Sequence, residues 1–350
     1  MHKSSTTWTT LPKAGLRQRI RSADSHLVRL LIIAIAIFAL FSFLLPTEFP
    51  TVQNLQSMAV QFPEFGILAI AIMLTMISGG IDLSAVSIAN LAAVGAALTL
   101  GALVGPDASI GQILVGMGAA LVVVFLIGTL CGLFNGFLIA RIGITPILAT
   151  LGTLSLYSGF AVAITKGRAQ PGIPQLLLLG SGKLLGVPIP MVIFLGLALL
   201  FSLLLSRTTF GFHLYLLGSN PKAARFSGID TVGVLLRTYW LSALLAVMAG
   251  LIFLARNNSA KPDYGESYTL LTVLISILGG VSYTGGFGRI GGLVLAILCL
   301  QFLSTGLNMF LLDFSGSSGA TFFRQFAWGA LLILVMVSNY VTSQRQARLR

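Results

Sequence analysis

Residues 62–84 read FPEFGILAIAIMLTMISGGIDLS, an almost uncharged run that stops on Ser78-Gly79-Gly80-Ile81-Asp82-Leu83-Ser84. Apolar side chains that continue without alternation make a helix that can sit in hydrocarbon, and the paired glycines interrupt it. A second apolar run follows at once, over 84–104. Irregular backbone between two membrane helices survives only where protein covers it or water reaches it. The stretch therefore predicts a broken helix pair inside an all-α polytopic membrane protein.

Composition agrees with that reading. Of 350 residues 56% are apolar and 9% charged, against roughly a quarter charged in soluble domains. So little charge cannot cover a water-soluble globule, which excludes a soluble enzyme, a secreted disulfide scaffold and a disordered tail. Uncharged runs predict ten spans in all: 30–45, 62–77, 84–104, 110–140, 145–164, 187–205, 231–254, 268–281, 290–310 and 323–341. The run at 110–140 is long, and we read it as one span. A basic cytoplasmic segment, 1–29, precedes the membrane domain at 30–341; a cytoplasmic loop at 207–230 interrupts it, and a cytoplasmic tail follows at 342–350.

Ten spans put both termini in the cytoplasm, and the basic residues support this. The N-terminal cluster, Arg141, Arg207, Lys222, Arg225, Arg237, Arg289 and the C-terminal arginines all fall inside. Membrane orientation thus accounts for the net charge of +12, and no nucleic-acid partner is needed. The first apolar run lacks a small-residue cleavage site, so it is read as an uncleaved anchor.

A second interruption runs from Gly279-Gly280 to Gly288, about 200 residues after the first. Ile77-Ser78-Gly79-Gly80 and Ile277-Leu278-Gly279-Gly280 echo each other and suggest a five-plus-five repeat. Gly79, Gly80, Asp82, Ser84, Gly279 and Gly280 are candidates for a translocation pathway or a structural break. Asp82 either caps the third span or meets a solute or proton directly. Gly128, Gly132 and Gly136 form a small-xxx-small face for close helix packing. Cys131 and Cys299 lie in apolar runs, where they pack rather than ligate a metal.

Enzymatic motifs fail on context. Gly286-Phe287-Gly288-Arg289-Ile290-Gly291 fits G-x-G-x-x-G but opens another membrane span, and Gly182-Lys183 lacks the rest of a Walker A loop. No catalytic residues and no bound cofactor are expected.

The loop at 207–230 carries its own helix signals. Asn220 suits an N-cap, Pro221 the first helical position, Ala223 and Ala224 the interior, and Gly228 the stop. The resulting helix of about two turns is too short to span and must pack on this protein or a partner.

Three motifs together resemble the permease subunits of sugar ATP-binding-cassette (ABC) importers of the ribose, galactose and xylose type. They are Ser78 to Ser84, Thr145-Pro146-Ile147-Leu148-Ala149-Thr150-Leu151-Gly152-Thr153, and Gly218-Ser219-Asn220-Pro221-Lys222-Ala223-Ala224-Arg225-Phe226-Ser227-Gly228-Ile229. The resemblance covers nearly the whole chain. It implies a second permease chain, ATPase subunits that use ATP and Mg and dock on Asn220, Pro221, Ala223, Ala224, Arg225 and Gly228, and a periplasmic solute-binding protein. The expected activity is import of a small solute, a monosaccharide first, across the inner membrane.

Two departures stand out. The family continues its hallmark with Val-Gly-Ser where this chain has Ala85-Val86-Ser87, and Ser267-Tyr268-Thr269-Leu270 replaces an acidic stretch. On the outer face Lys166, Arg168, Lys183, Arg256 and Lys261 stand against the positive-inside rule. They either pair locally with Asp263 and Glu266 or form a docking rim for the binding protein. The competing reading, a stand-alone secondary transporter of a small polar solute, would need paired acids, or acid and histidine, within the spans, where only Asp82 is available.

Overall fold

The computed structural model describes residues 14–105 and 107–348, with side chains mainly from His26 to Leu311. Basic side chains of the outermost termini lie outside the described residues. Twelve α-helices follow in order: α1 Ala14–Leu44, α2 Val52–Ile77, α3 Ala85–Leu103, α4 Ile110–Phe137, α5 Pro146–Thr165, α6 Leu177–Ser181, α7 Ile189–Arg207, α8 Thr209–Ser219, α9 Pro221–Phe226, α10 Thr231–Asn257, α11 Tyr268–Leu278 and α12 Ile290–Arg348. Two-residue strands form two small ladders, β1 Gln170–Pro171 with β4 Ser259–Ala260, and β2 Lys183–Leu184 with β3 Val187–Pro188.

Among the described residues eight helices are long and apolar enough to cross a membrane. Helix α2 is the buried axis, enclosed by α10, α7, α11 and α12. Helices α4, α5 and α7 leave large apolar side chains on the outside, among them Leu130, Leu148 and Leu199, as lipid or a partner membrane chain requires.

Four expectations change. Helix α2 starts at Val52 rather than at 62, because Thr51 accepts the Asn54 N–H at 3.2 Å and caps it; hydropathy alone missed these polar first turns. The expected span at 268–281 is an 11-residue helix, α11, about 16 Å long and too short to cross alone. Where a turn was expected between spans at 290–310 and 323–341, α12 continues without a break. No proline falls within it, so no backbone donor is missing; most side chains of 323–341 lie outside the described residues. Lastly, α8 adds a helix before α9 in what was read as one loop.

The long run at 110–140 is a single helical segment, α4 extended by a π-turn at Leu138–Ile142. Gly128, Gly132 and Gly136 face α10. A Cβ on Gly132 would stand 2.8 Å from Ala243 and the Trp240 backbone, and one on Gly128 3.0 Å from Val247. Gly136 meets Leu236 in the same way.

The two interruptions end their helices with one motif. Gly80 N–H donates to Thr75 O and Val281 N–H to Ser276 O, both at 3.0 Å, while Gly79 (φ +91°) and Gly280 (φ +85°) take the left-handed position. This is the Schellman stop, in which the residue after the cap must adopt positive φ. It aligns Ser78-Gly79 with Gly279-Gly280, one residue off the register that matching the two Gly-Gly pairs suggests.

Candidate functional site

The two interruptions meet in space. Gly286 N–H donates to the Ile77 carbonyl at 2.9 Å, joining the second break to the end of α2. The third member is the end of α8. A Cβ on Gly285 would stand 2.7 Å from Gly218 O and 2.9 Å from Gly79 Cα; one on Gly218 would overlap Ile77 O, and one on Gly286 would overlap Ser219 Oγ. Backbone meets backbone at Gly218 and Gly285, while the Ser219 hydroxyl and the Ile77 side chain fill in beside Gly286 and Gly288. Tyr215 on α8 adds a hydroxyl that donates to Gly288 O at 2.6 Å. Burial pushes its phenol above the ordinary range, with Arg289 drawing it back, so it stays a donor.

Asn220 follows directly, and its Oδ1 accepts the Ala223 N–H at 3.0 Å to start α9. Pro221 occupies the first helical position. Within α9 only Ala224 is buried, 3% exposed, while Lys222, Ala223 and Arg225 face outward and Phe226 is 92% exposed. Gly228 N–H returns to Arg225 O at 3.1 Å and closes the turn. An exposed aromatic next to Arg225 and one turn from Lys222 is a surface made to be covered. Sequence reasoning passed over Phe226, whose signal was an aromatic inside a short polar helix.

Behind the first break lies a buried polar network. The Asp82 carboxylate accepts Ser84 N–H at 3.0 Å and Ser84 Oγ–H at 2.6 Å on Oδ1, and Ser242 Oγ–H at 3.2 Å on Oδ2. Ser84 Oγ accepts from Asn135 Nδ2 at 2.8 Å, and Asn135 Oδ1 accepts from Tyr157 Oη at 3.1 Å. Thr150 accepts Leu83 N–H at 3.2 Å, and Thr75 accepts Asp82 N–H at 3.3 Å. Asp82 thus ties the break to α10 and, through Ser84, to α4 and α5. Its carboxylate binds the residue before α3 and not the helix's own first amides. Gly80 is wedged as well: a Cβ there would stand 2.6 Å from Tyr239 Oη and 2.7 Å from Pro146. Asn135, Tyr157, Thr150, Thr75 and Ser242 were not singled out in the sequence, where their only signal is polarity within apolar runs.

The opposite end joins side chains to the short β1–β4 ladder. Arg256 turns inward and pairs with Glu64 at 2.7 Å, Nη1 to Oε1, so it does not stand on an open rim. Tyr264 and Tyr268 lie beside this pair. Lys183 Nζ donates to Gln56 Oε1 at 2.6 Å, while Lys166, Arg168 and Lys261 are exposed. Among the described residues no group of three or more His, Cys, Asp or Glu could hold a metal.

A bundle of membrane-length helices, with two glycine-hinged breaks bonded to each other and rooted to a short exposed helix, defines an all-α multi-pass membrane permease. The family described as the branched-chain amino acid transport system / permease component matches residues 54–337, and the chain belongs to it. The chain is 33% identical over 288 residues to the autoinducer 2 import system permease protein LsrD of Enterobacter sp. (strain 638), covering 80% of this chain and 83% of that one. It is 33% identical over 287 residues to the protein of that name from Yersinia pseudotuberculosis serotype O:1b (strain IP 31758), covering 80% and 81%. The corresponding Yersinia pestis (strain Pestoides F) protein is 32% identical with the same coverage.

Proposed function

We propose that this chain is the membrane subunit of an ABC importer that passes a small sugar-type solute across the inner membrane, with autoinducer 2 the first candidate because relatives at 33% identity are named for its import. One observation carries the mechanism: Gly218-Ser219, the root of α9, packs backbone to backbone on both breaks. An ATPase subunit docked on α9 through the exposed Lys222, Arg225 and Phe226, with Ala224 packed beneath them, would move that root when it binds and hydrolyses ATP with Mg. Through the backbone contacts of Gly218 with Ile77 and Gly286 the displacement passes to the ends of α2 and α11 and changes which side the pathway opens to. The chain itself supplies no catalytic group. The break end faces the cytoplasm, in keeping with Arg141, Arg207, Lys222, Arg225 and Arg289 around it. A second permease chain completes the pathway, and a soluble binding protein lands on the opposite end, where Lys166, Arg168 and Lys261 orient it.

The test is uptake of autoinducer 2 into vesicles holding the chain with a co-expressed ABC ATPase subunit. Arg225→Glu and Phe226→Glu, both at exposed positions, should abolish uptake and ATPase co-purification while membrane levels stay at wild type. Uptake that survives in both variants, or proceeds without ATP, would overturn the assignment.

A further inference from the structure

Backbone closes the junction of the two breaks, and the clefts beside the second break, lined in part by Phe287 and Arg289, lie at the end read as cytoplasmic, which leaves open where the solute runs deeper in the membrane. A cleft of about 510 Å³ lies between the first turns of α2 and the middle of α12, within the size range of small-molecule sites. Gln53, Ser57 and Gln61 line one wall at i, i+4, i+8, and Ser304, Thr305 and Asn308 the other. Gln301, one turn below, donates to Thr305 Oγ1 at 2.9 Å and continues that polar face. By contrast, the cavity of about 190 Å³ between α3, α4, α7 and α10 is walled by groups such as Leu100, Met117, Ile193 and Met248, which offer a polar solute nothing.

Depth makes the cleft informative. Gln61 lies 16 residues along α2 from Ile77 at the break end, and Thr305 15 residues along α12 from Ile290. At 1.5 Å per residue these are about 24 and 22 Å, inside a hydrocarbon core of roughly 30 Å. Gln61 is exposed, and no hydrogen bond to the side-chain amides of Gln61 or Asn308 is found among the described residues; Gln53 and Ser57, about 36 and 30 Å along α2 from Ile77, stand at the watery end of the cleft. Amides turned to lipid without partners are costly, so this surface is wetted or covered.

We propose that these six residues form the solute-contacting wall of the pathway, and that the solute they take is neutral and polyhydroxylated. This rests on the permease reading above. Amides and hydroxyls offer donors and acceptors together, which suits vicinal hydroxyl groups. The wall carries no cation to attract an acid, and Glu48 at the mouth repels one.

The test begins with thiol access in the full-length chain in membrane vesicles, since Cys131 and Cys299 are buried. Gln61→Cys and Asn308→Cys should react with a charged, membrane-impermeant methanethiosulfonate about tenfold faster than Leu195→Cys on the apolar outer face of α7. Rates equal to that control would overturn a wetted cleft. Labelling needs no transport, so a wild-type assembly that imports nothing would count against the permease reading alone. In an assembly that does import autoinducer 2, Gln61→Leu and Asn308→Leu should each lower uptake about tenfold with ATPase activity and protein level unchanged, the effect of removing one or two hydrogen bonds. Uptake equal to wild type in both variants would overturn solute contact.

Discussion

The two ends of the bundle are joined by different chemistry. At the break end three segments touch through backbone, with Gly79, Gly218, Gly285 and Gly286 permitting the approach. At the opposite end the β1–β4 ladder and the close approach of Gly180 to the Ala255 backbone are supplemented by side chains: Glu64 with Arg256, Lys183 with Gln56, and the rings of Phe253, Tyr264 and Tyr268. Backbone contacts have no rotamers to absorb a push, whereas ion pairs and aromatic rings can shift or exchange partners. A machine driven from the α9 side needs stiffness there and tolerance where its pathway opens.

The largest effect should come from the side-chain end. Arg256→Gln strands a fully buried Glu64, and since Arg256 is itself 25% exposed the loss should fall at the low end of the range for breaking buried pairs, about 3 kcal/mol. Thermal unfolding in detergent would measure it. The double variant Glu64→Gln with Arg256→Gln should recover at least half, because no charge is then left alone; equal losses would show that the pair is not what holds α2 to α10. Lys183→Ala, at an exposed contact, should leave the melting point unchanged.

Next in size is Gly218→Val at the break end. Overpacking against rigid backbone should cost about 1 to 3 kcal/mol, and uptake should fall further than stability does. Gly152→Val on α5, where a Cβ meets nothing within 4 Å, should leave both unaltered. If the two variants behave alike, the stiffness of the break end is not real.

The smallest loss is expected of the isosteric change at Asp82. Asp82→Asn keeps one acceptor for Ser84 but turns a donor toward Ser242, so about 1 to 2 kcal/mol should be lost, with the protein folded and uptake largely retained. Asp82→Leu leaves Ser84 and Ser242 unpaired and should remove folded protein from the membrane. A folded Asn variant without uptake would instead mean that the carboxylate meets the solute.

The α9 helix was legible in the sequence because each of its signals is local: Asn220 bonds Ala223 three residues on, and Gly228 closes on Arg225. The breaks were legible for the same reason, since glycine supplies the positive φ at which a helix stops. Their one-residue shift in register was not, because letters match at Gly-Gly while the backbone matches at the positions needing positive φ. The length of α11 and the run of α12 through the expected turn also escaped hydropathy, which sees apolarity and not where a backbone stops.

By itself, then, the sequence determined that this chain lies in a membrane, where its helices break and where a short helix projects, all of which follow from composition and spacing over a few residues. Tertiary structure alone decided what those features touch. That Gly286 bonds Ile77, that Asp82 reaches Ser242 160 residues away, that Arg256 turns inward to Glu64, and that Gln61 faces Asn308 across a cleft all depend on how distant helices pack. Packing is set by the summed fit of many apolar surfaces, which no local pattern encodes.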